Sequence, residues 1–293
     1  MTKEVTMGAG DPEVVGVIGG SGIDQLEGLT NIRREKIITP FGEASDELTL
    51  AQLGQQDLVF LPRHGKGHKI PPSQINFCAN IYALKMVGCT QIISLSAVGS
   101  LKEELSPGMF VLVDQFIDRT FGRRKSFFDT GLVGHVSLGD PVCLRLRNRL
   151  LSASKAAGVE AVDGGTYLAM EGPQFSTRAE SNLYRSWGCD VIGMTNMPEA
   201  KLAREAEICY ATVAMVTDYD CWHPEHDDVT VETILQVLVS NSAKACALVE
   251  QVVPSTLEDH FPYPHGCRTA LDDALVTLPD HRDKDQLSKL DFL

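Results

Sequence analysis

The feature that most constrains the fold is a regular alternation of short apolar runs with segments of helical spacing. The run at 209–216 is strongly apolar and bounded by polar residues, which predicts a buried strand, whereas residues 74–87 and 141–157 repeat apolar side chains at helical intervals. Strands that alternate with helices predict a mainly parallel or mixed central sheet with helices on both faces. We therefore expect an α/β fold of three layers.

The same patterns predict individual elements. The expected strands are 14–18, 47–53, 57–61, 91–96, 109–113, 166–170, 190–194 and 209–216, and the expected helices are 74–87, 141–157, 178–187, 199–207 and 229–253. No linker, repeat or low-complexity tract divides the chain, so a single domain is expected over 1–293, with a polar extension at 1–13 and a tail at 254–293. Within the tail we expect a short helix at 270–276 capped by Thr269, followed by a solvated end.

Composition excludes several classes of protein. The chain has 293 residues and a formal net charge of -13, which disfavours nucleic acid as a partner because like charges repel. The polar start lacks a signal-peptide core, and no apolar run approaches the roughly 20 residues of a membrane span, so we expect a cytoplasmic protein. The eight cysteines include no C-x-x-C pair and are interpreted as reduced, small core residues.

Three segments carry groups that suit an anion. The glycine-rich run 16–24 offers backbone N–H groups and the Ser21 hydroxyl, although Gln25 breaks the G-x-G-x-x-G order of dinucleotide sites, so an NAD-type dehydrogenase is not supported. Segment 61–68 adds the guanidinium of Arg63 and the imidazole of His64, and segment 94–100 adds small hydroxyl residues where a strand ends. Taken singly, these segments also fit a strand-end turn, a basic surface loop and tight packing.

Two further segments carry groups that suit a flat, polar ring. Phe175 can stack on such a ring, although segment 170–180 also fits a loop in which Ser176 or Thr177 caps the next helix. Asp218 and Asp220 follow the apolar strand 209–216, where burial can raise a carboxyl pKa and create an acid; solvated turn aspartates are the alternative. The His and acidic residues at 223–228 resemble an exposed loop more than a metal site.

Taken in order, these segments resemble the 5′-methylthioadenosine phosphorylases, a trimeric branch of the purine nucleoside phosphorylase family. The resemblance covers about 14–253 and is carried by VGVIGGSGID, TPFGEASD, LPRHGKGH, SAVGSL, VDQFIDRT, EGPQFSTRAES, MTNMPEAKLAREA and TDYDCW. It implies an α/β sandwich around a mixed, partly barrel-like sheet. It also implies phosphorolysis of a nucleoside, with no metal and no organic cofactor, in a homotrimer whose active sites lie at subunit interfaces.

The resemblance also implies a role for single residues. Asp218 and Asp220 would face the purine, with Asp218 as the proton donor to N7, and His135 would reach the 5′ pocket of a neighbouring subunit. The resemblance assigns phosphate binding to Ser21, Arg63, His64, Ser96, Ala97 and Thr195, and substrate binding to Met194, Phe175, Ser176 and Val231. Leu271 and Leu275 of the tail match too weakly to be assigned.

Two alternative functions stay open at this stage. One is a phosphorylase for 6-oxopurine nucleosides such as methylthioinosine or inosine, for which an amide in place of Asp218 would be the better partner of O6. The other is a nucleoside-binding protein that does not turn its ligand over. The presence of an anion pocket, an aromatic side chain and a candidate acid in one chain favours an enzyme over a sensor.

Overall fold

A computed structural model describes residues 13–20, 26–224, 231–256 and 266–293. The strands are β1 (Val14–Gly19), β2 (Leu29–Glu35), β3 (Ile38–Thr39), β4 (Gly42–Glu43), β5 (Leu48–Leu53), β6 (Gln56–Pro62), β7 (Cys89–Ser100), β8 (Phe110–Leu112), β9 (Gln115–Asp118), β10 (Ala161–Asp163), β11 (Thr166–Ala169), β12 (Val191–Gly193) and β13 (Cys209–Asp218). The helices are α1 (Phe77–Met86), α2 (Leu144–Ala156), α3 (Arg178–Ser186), α4 (Asn196–Glu205), α5 (Val231–Ser255) and α6 (Lys284–Lys289), and two 3-10 turns span Pro72–Gln74 and Pro279–His281.

One mixed sheet of eleven strands organises the described residues. Its main order is β10-β8-β13-β7-β1-β6-β5-β2, and β7 runs parallel to both β1 and β13. The last residues of β7 also pair with β12, through which β11 and β9 join the sheet. The long strand β7 therefore connects the main row of strands with β12, β11 and β9.

The core lies on both faces of the sheet because the central strands are apolar on both sides. Successive residues of β7 point in opposite directions, so Ile92 packs in one apolar cluster and Ile93 in the other. Helices α1 and α4 cover the first face, and α2 and α5 cover the second. The alternating pattern thus predicts the layers correctly, since a strand buried on both faces has a continuous apolar run.

Local capping explains how α3 begins. Thr177 accepts a hydrogen bond from the backbone N–H of Glu180, and the carboxylate of Glu180 accepts one from the backbone N–H of Thr177, which is a capping box. The prediction that segment 170–180 caps a helix is therefore confirmed for Thr177. Strand β2 was not predicted because its residues are largely exposed and lack an alternating apolar pattern.

The prediction of a helix at 270–276 is wrong. These residues form turns, because the Glu207 carboxylate accepts the N–H of Leu271 and Leu275 forms an isolated β-bridge with Gly134. The helix of the tail is α6, which Asp283 caps through the N–H of Gln286. The end of the chain is also less solvated than expected, since Leu290 is buried and the Tyr82 hydroxyl donates to the Lys289 carbonyl.

Long apolar helices are a separate question. Among the residues that the structure describes, none forms a helix with both the length and the apolar character of a membrane span.

Candidate active site

An exposed alanine within a buried strand marks the open end of the sheet. Every residue of β7 before Ala97 is buried, whereas Ala97 itself is exposed. Next to it, the Ser96 hydroxyl lies 3.1 Å from the Thr195 hydroxyl and 3.2 Å from the Tyr167 hydroxyl. An exposed position surrounded by small residues and hydroxyl groups therefore lies where the parallel strands end, which is the usual ligand position in α/β sheets.

Arg63 is a buried residue that directly follows β6. Its guanidinium forms a bidentate ion pair with Glu199, with Nε–Oε2 and Nη2–Oε1 distances of 2.8 and 3.1 Å. Nη1 donates to the Leu95 carbonyl and Nη2 donates to the Ser94 hydroxyl, at 2.9 and 2.7 Å. Because a guanidinium has five N–H groups, one N–H of Nη1 has no acceptor among the described residues.

A buried polar network surrounds Glu199. The carboxylate accepts hydrogen bonds from the hydroxyls of Ser94 and Tyr210, at 2.6 and 2.9 Å. The Asn196 Nδ2, with two N–H groups to donate, lies within 3.0 Å of both of these hydroxyls and of the Thr212 hydroxyl. Sequence analysis did not select these residues, because their polar side chains come together only in the fold. The network holds the Arg63 side chain in one orientation.

His64 is held as a neutral ring. Its Nδ1 lies 2.9 Å from the Ile70 carbonyl, and because a carbonyl only accepts, Nδ1 carries the proton. Burial lowers the pKa of His64 to about 4, although the hydrogen bond to the Ile70 carbonyl acts in the opposite direction. Nε2 of the neutral ring is therefore an acceptor. The stacked His68 ring, with centroids 4.1 Å apart, lies next to it.

Asp218 occupies the end of β13, opposite Gly99 of β7. Its Oδ2 accepts from the Thr217 hydroxyl at 2.7 Å, and its Oδ1 accepts from the backbone N–H of Asp220 at 2.8 Å. A Cβ at Gly99 would lie 2.9 Å from Oδ1, so the strand needs glycine there. Burial raises the pKa of Asp218 above its ordinary value, which is the direction predicted from its place after an apolar strand.

Asp220 is buried rather than a solvated turn residue. It is 6% exposed, its backbone has a positive φ of 52°, and its Oδ2 has no hydrogen-bond partner among the described residues. Burial raises its pKa as well, although the nearby hydroxyls of Ser181 and Ser176 oppose that shift. A buried carboxyl oxygen without a partner is a site that a donor of a ligand can fill.

The loop between β12 and α4 is tied down by a buried arginine that sequence analysis missed. Arg123 donates to the carbonyls of Met194 and Met197 at 2.6 and 2.7 Å, and its Nε lies 3.2 Å from Glu171 Oε1. Met194 in turn packs so tightly on Gly172 that a Cβ there would lie 2.4 Å from Sδ. These contacts fix the position of Met194.

The remaining predicted residues lie in different places. Ser176 is buried and its carbonyl accepts from the Cys221 thiol at 3.3 Å, whereas Phe175 is 45% exposed. Ser21 and the side chain of Val231 lie outside the part that the structure describes.

His135 lines a separate cavity of about 460 Å³, with walls that include Lys125, Phe128, Leu138 and Lys201. Residues 225–228 of the candidate metal cluster lie outside the described residues, and His223 pairs with Glu103 at 3.0 Å.

The spacing along β7 and β13 relates the two halves of the site. Ser96 and Ala97 pair with Ala214 and Met215, and Gly99 pairs with Asp218. Three residues of a strand span about 10 Å. The hydroxyl cluster and the buried carboxyl groups therefore follow one another along the direction of these strands. The ends of these two strands therefore bring hydroxyl groups and buried carboxyl groups into one region of the sheet.

Comparisons with known proteins identify the relatives of this chain. The model of the phosphorylase superfamily matches residues 14–254. A protein named S-methyl-5′-thioadenosine phosphorylase from Bradyrhizobium diazoefficiens is 58% identical over 278 residues, which cover 95% of this chain and 96% of the relative. One of the same name from Rhodospirillum rubrum is 55% identical over 278 residues and is covered to 94%, as is this chain.

Solved structures extend the likeness to three dimensions. A methylthioadenosine phosphorylase from an antarctic soil metagenomic library superposes with a TM-score of 0.91 at 44% identity, covering 97% of this chain and 99% of that one. A Schistosoma mansoni adenosine/methylthioadenosine phosphorylase mutant, in complex with methylthioadenosine, superposes with a TM-score of 0.80 at 36% identity, covering 84% and 92% of the two chains. The chain therefore belongs to the phosphorylase superfamily and, within it, to the family of S-methyl-5′-thioadenosine phosphorylases.

Proposed function

We propose that this chain catalyses the phosphorolysis of 5′-methylthioadenosine. Inorganic phosphate attacks C1′ of the methylthioribose, adenine leaves, and 5-methylthioribose-1-phosphate forms, a step of purine and methionine salvage. One observation at the ends of β7 and β13 carries the proposal. The exposed Ala97 follows the hydroxyls of Ser96 and Thr195, and the buried carboxyl of Asp218 lies beyond it along the strands. The names and bound ligands of the relatives support the same reaction.

At the phosphate end, the hydroxyls of Ser96 and Thr195 and the backbone of Ala97 would bind the anion. Arg63 would contribute the one N–H that its protein partners leave over. His64 would act as an acceptor toward a protonated phosphate oxygen, because its Nδ1 proton is held by Ile70. The overall charge of -13 makes such local donors necessary. By resemblance, Ser21 would add a further hydroxyl.

At the base end, Asp218 would donate a proton or a strong hydrogen bond to N7 of adenine. Adenine is a poor leaving group unless its N7 gains a proton or a strong hydrogen bond. A general acid of this kind increases the rate by a factor of roughly 10²–10⁴. The transition state carries positive charge on the sugar, which bound phosphate would stabilise electrostatically. The unpaired Oδ2 of Asp220 would accept from the 6-amino group.

The 5′ substituent needs an apolar environment. Met194, fixed by the Arg123 contacts, would lie under the ribose, and Phe175 would pack near the base. Ser176 and Val231 would influence the choice of substrate. His135, exposed in this protomer, would complete the pocket of a neighbouring copy in a homotrimer.

The whole chain would act as one domain in the cytoplasm. Phosphate would be the co-substrate, and no cofactor would be needed.

Product analysis tests the proposal. Purified protein is incubated with methylthioadenosine, with and without inorganic phosphate, and adenine is quantified by chromatography. We expect adenine release only with phosphate. Ligand binding without release would favour a nucleoside-binding protein, and faster release from inosine than from methylthioadenosine, measured side by side, would favour a 6-oxopurine phosphorylase.

A further inference from the structure

Three cysteines that are far apart in the sequence converge in the fold. The sulfur atoms of Cys143, Cys209 and Cys267 all lie within 4.8 Å of one another, and all three residues are buried. They come from the N-cap of α2, the first residue of β13 and the tail. None of the eight cysteines forms a disulfide. The proposed phosphorolysis uses none of these thiols.

Groups with positive charge or partial positive charge lie beside two of the three thiols. Cys143 caps the N-terminus of α2, where the helix dipole stabilises a negative charge, and its own N–H is engaged by the Tyr210 carbonyl at 2.8 Å. The Arg145 guanidinium donates to Cys209 Sγ at 4.0 Å. Cysteines that served only as small apolar residues would not need these positive neighbours.

The geometry suits a soft metal ion. Zinc binds thiolate sulfur at about 2.3 Å, so three sulfurs on one zinc ion lie about 3.8 Å apart. The observed limit of 4.8 Å requires the sulfurs to approach by no more than about 1 Å, which side-chain rotation supplies. Hard ions such as Mg²⁺ and Ca²⁺ prefer oxygen and are excluded by an all-sulfur set.

We propose that Cys143, Cys209 and Cys267 form a three-thiolate site for Zn²⁺, separate from the candidate active site. Binding replaces three S–H protons by three Zn–S bonds, so that one Zn²⁺ and three thiols give one complex of charge -1 and three released protons. No oxidant or reductant takes part. The site would connect the tail to the central sheet and to α2, and its existence does not depend on the proposed catalytic function.

The test uses the full chain, reduced and freed of metal by a chelator, then titrated with ZnCl₂ in weak buffer. We expect one tightly bound ion per chain, release of up to three protons, a higher Tm, and a zinc X-ray absorption spectrum with three sulfur neighbours at about 2.3 Å. Cd²⁺ serves as a second probe, since thiolate ligation gives an ultraviolet charge-transfer band.

Serine variants identify the ligands. Cys143→Ser, Cys209→Ser and Cys267→Ser should each lower zinc affinity by at least tenfold and remove part of the cadmium band. Cys189→Ser replaces an equally buried cysteine outside the cluster and should leave both unchanged. The absorption spectrum of the unmutated protein keeps the test valid if a variant fails to fold. The proposal is overturned if no zinc stays bound after dialysis, if nitrogen and oxygen neighbours dominate the spectrum, or if two of these thiols form a disulfide in the purified protein instead.

Discussion

Arg63 and Glu199 form a bidentate ion pair that is almost completely removed from solvent. Their side chains are 3% and 1% exposed, and the two contacts measure 2.8 and 3.1 Å. A residue that the sequence suggests as an anion ligand is therefore first a part of the core. The pair fixes the orientation of the guanidinium, and together with Leu95 and Ser94 it occupies four of the five N–H groups.

Removal of Glu199 should destabilise the protein strongly. Glu199→Ala leaves a buried guanidinium without its counter-charge, and the free energy of unfolding should fall by about 3–5 kcal/mol. Urea unfolding monitored by circular dichroism measures it. The matched control is Glu35→Ala, which breaks the exposed Arg33–Glu35 pair and should cost no more than about 1 kcal/mol. Equal losses in the two variants would contradict a special role for the buried pair.

Loss of the hydroxyls of Ser96 and Thr195 should weaken phosphate binding. A hydrogen bond to a charged group contributes about 1.5–3 kcal/mol, so Ser96→Ala and Thr195→Ala should each raise the KM for phosphate by about tenfold or more. Because the two hydroxyls lie 3.1 Å apart, the effects should not add in the double variant. Ser152→Ala, on the exposed surface of α2, is the control and should leave KM unchanged. Steady-state kinetics with varied phosphate decide the question.

The Asp218→Asn variant should lower kcat/KM for methylthioadenosine by more than about tenfold. Burial raises the pKa of Asp218, so the acid form persists above the ordinary carboxyl value of about 3.9 and is lost as pH rises through the raised pKa. The fall of kcat/KM on the alkaline side of that pKa should be absent in the variant, because an amide does not titrate. A pH–rate profile of the wild type and the variant measures this. Asp57→Asn, at a partly buried position of β6, is the control and should leave the profile unchanged. An unchanged rate would remove Asp218 as the acid.

Enlarging Ala97 should block ligand binding without unfolding the chain. Ala97→Leu places a side chain into the proposed ligand site, so nucleoside binding should fall by at least tenfold while Tm stays nearly constant. Ala214→Leu, at a fully buried position of the adjacent strand, overpacks the core and should cost about 1–3 kcal/mol. Calorimetric titration with adenine and thermal unfolding separate the two outcomes. Similar unfolding losses would show that Ala97 faces packed atoms and not a crevice.

His64 should make stability depend on pH. Burial lowers its pKa to about 4, whereas the unfolded chain has the ordinary value of about 6.5. Between these values the unfolded state binds more protons, so the His64 contribution is complete above pH 6.5 and is lost as pH falls toward 4, by at most about 3 kcal/mol. The difference in unfolding free energy between the wild type and His64→Gln should follow this window. A constant difference from pH 4 to 7 would contradict it.

Patterns within short segments determined the layers of this protein and the candidate residues on them. The apolar run of β13 reports burial directly, because a strand in the middle of the sheet is covered on both faces, and the apolar spacing of α1 reports the face that packs on the sheet. The hydroxyls at the end of β7 and Asp218 at the end of β13 follow from the rule that parallel strands end at one edge. The family resemblance added the order of these segments and the reaction they imply.

Contacts between distant residues were decided by the tertiary structure. Glu199 lies 136 residues from Arg63, and the three clustered cysteines span from position 143 to position 267, so no local pattern encodes either group. The tail shows the same limit, because a single carboxylate, Glu207, accepts the N–H of Leu271 where a helix was expected. Local propensity amounts to a few tenths of a kcal/mol per residue, and a buried charge or a hydrogen bond to a carboxylate outweighs it.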